Sequence, residues 1–409
     1  MSNQNTVSTR TAPDPKHFEY IDAVRGWAFL AVLTLHSQLI VGPFLGKELL
    51  KGGYGVQLFF LASAITLCNS MAARQQKDKF PIFFFYLRRL FRIAPLFWCA
   101  IIFYWVFPNV TPSYWLSQWA PNGVHPSYFI LTALFLHGWH PLTFNSIVPG
   151  GWSIAVEMTF YLFFPLLFRL LNSPKRVTIV VLLAVFYGVL ANTGTIHSDS
   201  IDARLRNHFY PNIPDTIWDF FINFWFPSSL YVFLIGFLAY HLLKRASVKG
   251  FAKDRFGVTC LFCFCVMLLT SFFRAESGFV PTPLLIVSAM AGIIIAMSGQ
   301  VLRWLVNFFI CYIGRISYSC YLVHFAALGV TLRLFGIHLT NEMQSFNAGG
   351  SFSNLFLFVK IWVVALGLTA VISTITLHLI ENPGIALGRK LIDWITSLSA
   401  RPDLTLSKA

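Results

Sequence analysis

The chain has 409 residues, with 30 Lys and Arg against 16 Asp and Glu, and carries a net charge of +14. Apolar residues make up 56% of it and charged residues 11%, less than half the roughly 25% usual in soluble domains. This balance excludes a disordered chain and a soluble enzyme. A nucleic-acid binder is excluded too, because the basic excess sits between long apolar runs and not on one polar surface.

Residues 1–20 are polar and lack the apolar centre of a signal peptide, so they read as a disordered cytosolic tail ahead of a retained first helix. Ten apolar runs follow that can cross a core of about 30 Å. They lie at Arg25–Val41, Tyr54–Ala72, Arg92–Phe107, Gly151–Leu171, Val177–Thr193, Asp219–Leu243, Phe256–Phe273, Thr282–Ser298, Ser317–Phe335 and Asn354–Leu379. The run Tyr128–Trp139 is too short to cross and reads as a re-entrant or interfacial segment. The fold class is therefore all-α, a polytopic transmembrane bundle with one membrane domain over 21–385 and a cytosolic C-terminal tail over 386–409. Most Lys and Arg residues then fall on the side of the two termini, which places both ends in the cytosol.

The cysteines, including the close group Cys260, Cys263 and Cys265, fall in or beside apolar runs. They lack the paired, loop-borne spacing of a zinc site and read as packing residues, with no metal expected.

Ionisable groups deep in a membrane are costly and mark function or a buried pair. Four lie well inside a run: His36, Glu157, His324 and Lys360. His36 follows Arg25 by eleven residues, about three turns and about 16 Å along one helix face. One face thus joins a cation at the cytosolic surface to an imidazole near mid-membrane, although His36 could also be a buried ring bonded to a backbone carbonyl. Glu157, in Trp152-Ser153-Ile154-Ala155-Val156-Glu157, is the only acid placed deep in a run; it is a catalytic carboxylate or a structural acid bonded across helices. Ser317, Tyr321 and His324 share a face at i, i+4, i+7, for packing or for a site. Lys360 can snorkel to the outer interface as an anchor. Arg88, Arg89 and Arg92 open the third run; their spacing suits phosphate binding or plain positive-inside anchoring. The outer Trp and Tyr residues suit an interfacial belt or sugar stacking.

In order along the chain, four blocks resemble the acyltransferase-3 family of integral membrane acyltransferases. The first is Ile21-Asp22-Ala23-Val24-Arg25-Gly26 with His36. The second is Gly55-Val56-Gln57-Leu58-Phe59-Phe60-Leu61-Ala62-Ser63, where Gln57 stands for the usual acid and Ala64 for the usual glycine. The third is Arg89-Leu90-Phe91-Arg92-Ile93-Ala94-Pro95, with Trp152 to Glu157 and Phe160-Tyr161 after it. The fourth is Ser317-Tyr318-Ser319 with Tyr321 and His324, then Glu381-Asn382-Pro383 and Gly388. The resemblance implies transfer of an acyl group, usually acetyl, from acyl-CoA to a hydroxyl of a glycan or other surface molecule. Acyl-CoA would be a co-substrate, with no permanently bound cofactor. The location implied is the bacterial cytoplasmic (inner) membrane. Arg88, Arg89 and Arg92 would hold the CoA phosphates, with Arg25 beside the way in. His36 would act as general base or carry the acyl group itself. Glu157 would orient the imidazole or steady the acceptor. Ser153, Trp152, Tyr321 and His324 would support the acceptor or an oxyanion. The rival class is a proton-coupled transporter or glycan flippase, for which buried His and Glu serve equally well; the sequence shows no clear inverted repeat.

Overall fold

The computed structural model describes residues 19–41, 52–111, 118–192, 204, 206–208, 210–248, 255–263, 265, 282–299, 301–337 and 351–400. Among these there is no strand. The helices are α1 (Glu19–Val41), α2 (Gly55–Arg74), α3 (Pro81–Val106), α4 (Pro126–Ala133), α5 (Gly151–Leu170), α6 (Pro174–Asn192), α7 (Asp215–Phe224), α8 (Phe226–Val248), α9 (Thr282–Ser298), α10 (Phe308–Arg315), α11 (Ser317–Leu334), α12 (Ser351–Thr376) and α13 (Asn382–Ala400). A single π-turn, Leu377–Glu381, joins α12 to α13.

Five described stretches are long and apolar enough to cross a membrane: Gly52–Arg74, Pro81–Val106, Gly151–Leu170, Asp215–Arg245 and Asn354–Leu398. The expected count of ten crossings is thus met only in part among the described residues. The N-terminal tail up to residue 18 and half of the run expected at Phe256–Phe273 lie outside them. The Tyr128–Trp139 segment forms the short α4 and a 3-10 turn, His137–Trp139, neither long enough to cross.

Two boundaries differ from the sequence expectation. Helix α3 starts at Pro81, eleven residues before the apolar run, because Pro81 occupies the first helical turn and Phe84 and Phe85 are already buried. Proline is pre-organised there and sacrifices no hydrogen bond. Arg88, Arg89 and Arg92 therefore lie inside α3 and do not open it. At the other end, the segment read as a tail from 386 is helical to Ala400 and packs on α3. Glycines make that contact possible: a Cβ on Gly388 would meet Phe91 Cβ at 2.7 Å, and one on Gly384 would meet Pro95 Cγ at 2.8 Å.

Helix α1 is the hub, packing on α2, α10, α11 and α12. Small residues permit the approach, as expected where lipid removes the hydrophobic drive between helices. Gly26 lies against the Ile310 carbonyl and Gly314 against the Asp22 carbonyl, each too close for any side chain. This packing sets Arg25 facing α2, and it brings α11 beside α1.

Candidate active site

Helices α1, α2, α3, α5 and α11 enclose a cavity of about 70 Å³, lined by Arg25, Ser63, Thr66, Arg89, Arg92, Ser153, Glu157, Tyr161, Tyr318 and Tyr321 among others. Helical spacing explains the set. Ser153, Glu157 and Tyr161 recur every four residues on α5, Arg89 and Arg92 are three apart on α3, and so are Ser63 and Thr66 on α2, so each group shares one face.

Glu157 is the anionic centre. Ser63 Oγ donates to its Oε1 at 2.5 Å and the Tyr161 hydroxyl donates to the same oxygen at 2.6 Å. A carboxylate away from water needs such donors. The fields of Arg25 and Arg89 also reach it. Arg25 Nη2 donates to Thr66 Oγ1 at 3.3 Å. Glu157 therefore bonds hydroxyls of α2 and of its own helix and does not orient an imidazole.

Arg89 and Arg92 also line a second, larger cavity of about 620 Å³ between α3, the α2–α3 loop and α13. Both residues are thus shared by the linings of the two cavities. Arg89 lies over the Phe85 and Tyr161 rings, 5.9 Å from each centroid, and its buried Nε has no hydrogen-bond partner. Neither Arg89 nor Arg92 has a carboxylate within ion-pair distance among the described residues. Arg88 faces only the larger cavity and is bonded to Asp78.

At the far end of the smaller cavity, the Ser153 and Tyr321 hydroxyls lie 2.9 Å apart. Both are within reach of the Gly150 carbonyl, at 3.1 Å and 3.2 Å. Gly150 holds φ +75° as the residue before α5, a left-handed conformation natural to glycine. A Cβ there would press on the Tyr321 hydroxyl at 3.1 Å.

The two histidines lie behind this end and are not among the residues lining the cavity. His324 is fully buried; its Nδ1 lies 2.6 Å from the Tyr321 carbonyl oxygen, and its Nε2 has no partner. The His36 ring packs on Phe325 and His324, with centroids at 4.5 Å and 5.3 Å. His36 touches His324, which in turn touches Tyr321 in the cavity lining. Trp152 points elsewhere, into an aromatic cluster with Phe144, Phe220 and Phe224 at 5.9, 5.6 and 5.0 Å. Lys360 is exposed, with Nζ 4.6 Å from the Phe356 centroid.

Sequence reasoning gave no separate role to Ser63, Thr66, Tyr161 and Tyr318, although three of them fell inside quoted motifs. Isolated hydroxyls in apolar helices carry little signal, since each can bond its own helix. It also missed a second buried acid. Glu381, 1% exposed, sits in the π-turn and accepts from Ser319 Oγ, while its Oε2 has no partner. Glu381 had fallen just past the apparent end of an apolar run. Gln57, where the family pattern has an acid, is buried with its Oε1 unpartnered.

The sequence matches the profile of the acyltransferase-3 family, described as an acyltransferase domain, over residues 18–378. The chain belongs to that family, and it is a membrane protein. It is similar to a protein of Staphylococcus aureus strain MRSA252 named "Putative O-acetyltransferase", 24% identical over 92% of this chain and 59% of the relative. The same name and identity apply to a protein of strain COL, matched over 91% of this chain and 58% of the relative. Acyltransferase MdmB of Streptomyces mycarofaciens is 26% identical over 90% of this chain and 92% of the relative. The chain thus spans under two thirds of the staphylococcal proteins and nearly all of the streptomycete one. No solved structure matches.

Proposed function

We propose that the protein is an O-acyltransferase that moves an acyl group, acetyl in the simplest case, from cytosolic acyl-CoA to a hydroxyl of a glycan or other exported molecule. The observation that carries this is the pair Arg89 and Arg92. Two arginines with no carboxylate within ion-pair distance among the described residues line both a large basic cavity and a small polar one. Half-buried cations without a counter-ion are costly, and a donor diphosphate would satisfy both with charge-assisted hydrogen bonds. The larger cavity then opens toward the cytosol, in keeping with the basic loop at residues 74–79.

In this reading the acyl thioester extends past Arg89 into the smaller cavity, beside Glu157 and toward the Ser153 and Tyr321 hydroxyls. Those hydroxyls would donate to the thioester carbonyl oxygen as charge develops on it. His36, backed by His324, takes the proton of the acceptor hydroxyl. The acceptor oxygen bonds the acyl carbon, the carbon–sulfur bond breaks, and the proton passes to the leaving CoA thiolate. Because Tyr321 and His324 separate His36 from the cavity, the acceptor approaches from the His36 side, and Tyr321 shifts to let the two substrates meet.

The test is donor binding followed by product analysis. Acetyl-CoA is expected to raise the Tm of the detergent-solubilised protein, and Arg89→Ala to abolish that rise. Surface glycans from cells with the gene should carry an ester that is missing without it. Glycan movement across vesicles with no acyl donor, and no thermal response to acetyl-CoA, would replace this reading with the transporter.

A further inference from the structure

The larger cavity holds cations that binding a diphosphate would not use. Arg74 ends α2, Lys77 lies in the following loop, and Arg389 projects from α13. None of the three side chains has a hydrogen bond or ion pair among the described residues. Asp78, whose field also reaches Arg74, is engaged by Arg88. Arg74 lies within the repulsive field of both Arg88 and Arg389. With Arg74, Lys77, Lys79, Arg88, Arg89, Arg92 and Arg389 set against Asp78 and Asp393, the cavity lining is strongly cationic; this excess destabilises the empty state, and an anion of more than one charge relieves it.

Helix α13 is shaped for this cavity. Gly384 and Gly388 seat it on Phe91 and Pro95 of α3, and Gly388, Arg389, Ile392, Asp393 and Thr396 form its wall. The volume of about 620 Å³ falls in the range of small-molecule sites. The neighbouring 70 Å³ cavity admits only a slender chain, so a donor with one bulky, charged end and one thin end can lie in a single direction.

Resting on the acyl-CoA reading above, we propose that α13 is the adenosine-recognition element of the donor site, and that Arg389 and Arg74 bind the ribose 3′-phosphate. The diphosphate lies at Arg89 and Arg92, and the adenosine lies against α13. The protein then discriminates coenzyme A from donors that share its thioester arm but lack the 3′-phosphate. An anionic lipid headgroup offers the same phosphate chemistry, and the exposed Leu387, Trp394 and Leu398 of α13 would keep that helix near lipid. The matched volume and the shared guanidinium wall favour the nucleotide.

The experiment measures Kd for CoA and for 3′-dephospho-CoA with full-length protein in neutral-lipid nanodiscs. Wild-type protein is expected to prefer CoA by about tenfold or more, the value of a lost charge-assisted contact. Arg389→Ala and Arg74→Ala should each weaken CoA while leaving 3′-dephospho-CoA nearly unchanged, so that the preference falls toward one. Because both side chains are exposed, the variants should fold, and the unchanged dephospho-CoA affinity verifies it. Equal weakening of both ligands, or of neither, overturns the assignment while the acyl-CoA reading stands. A preference lost only in discs containing anionic lipid assigns the arginines to headgroups instead. If wild-type protein binds neither form, both readings fall together.

Discussion

Ser63 and Glu157 meet across the interface of α2 and α5, with the serine hydroxyl donating to Oε1 at 2.5 Å. Tyr161 donates to the same oxygen from one turn further along α5. A single carboxylate oxygen therefore ties two helices together at the wall of the smaller cavity.

That sharing sets the stability expected of variants. Ser63→Ala should cost about 1 to 3 kcal/mol, because Glu157 loses one of its donors in a buried site. Glu157→Gln keeps an acceptor but removes the charge between Arg25 and Arg89. The double variant should cost less than the sum of the two, since both act on one network. Denaturation midpoints in detergent measure all three, and strict additivity would show that the two residues act independently.

Arg89 is expected to act on the donor. Arg89→Ala should raise the KM for acyl-CoA at least about tenfold with little effect on the KM for the acceptor. Arg89→Lys should rescue it poorly, because a lysine cannot reproduce the forked donors of the guanidinium. A change confined to acceptor KM would remove Arg89 from the phosphate site.

His36→Ala should abolish ester formation and leave CoA binding and Tm nearly intact, since His36 makes ring contacts but no hydrogen bond among the described residues. His324→Ala should also lose activity, but with a lower Tm, because it removes a fully buried ring. Normal transfer by His36→Ala would end its role as base.

The seat of α13 can be probed without touching a charge. Gly388→Val would drive a branched side chain into Phe91, at a cost of about 1 to 3 kcal/mol. Limited proteolysis should then cut within residues 382–400 faster than in the parent. Equal cleavage rates would mean that α13 does not depend on this contact.

One pH effect is expected at the segment between the 3-10 turn and α5. His140 is half-buried there against Tyr210, and its Nδ1 accepts from the Leu142 N–H at 3.2 Å. Burial lowers its pKa in the folded chain below the usual 6.5. The unfolded chain then binds more protons just below pH 6.5, so stability rises with pH through that window and is lost as pH falls. The Tm should drop on acidification below about pH 6.5, and His140→Gln should flatten part of that slope.

The acid in the middle of α5 could be read directly from the sequence, because a lone carboxylate in an apolar run has few explanations. So could the pairing of Arg89 and Arg92 on one face. The gathering of Ser63, Thr66 and Tyr161 around that acid could not, because nothing local distinguishes a hydroxyl that bonds its own turn from one that reaches a neighbouring helix. The separation of His36 from the cavity was equally hidden: a shared helix face with Arg25 fixes direction and height, but not which ring of α11 lies between. Helix α13 was missed because its alternating charged and apolar residues look like a tail when the apolar count alone is followed. The signal was Gly384 and Gly388, four residues apart and facing one neighbour.

The wide turn at Leu377–Glu381 leaves α12 and α13 a fraction of a revolution out of phase. Removing one residue just beyond it, for example Ile385, with the wide turn kept, would rotate everything after it by about 100°. Arg389 would then swing away from its cavity, and Trp394 would turn with it. A single-codon deletion there should therefore uncouple nucleotide recognition from an otherwise intact bundle, making the angular phase of that junction an inherited setting for which thioesters the protein accepts.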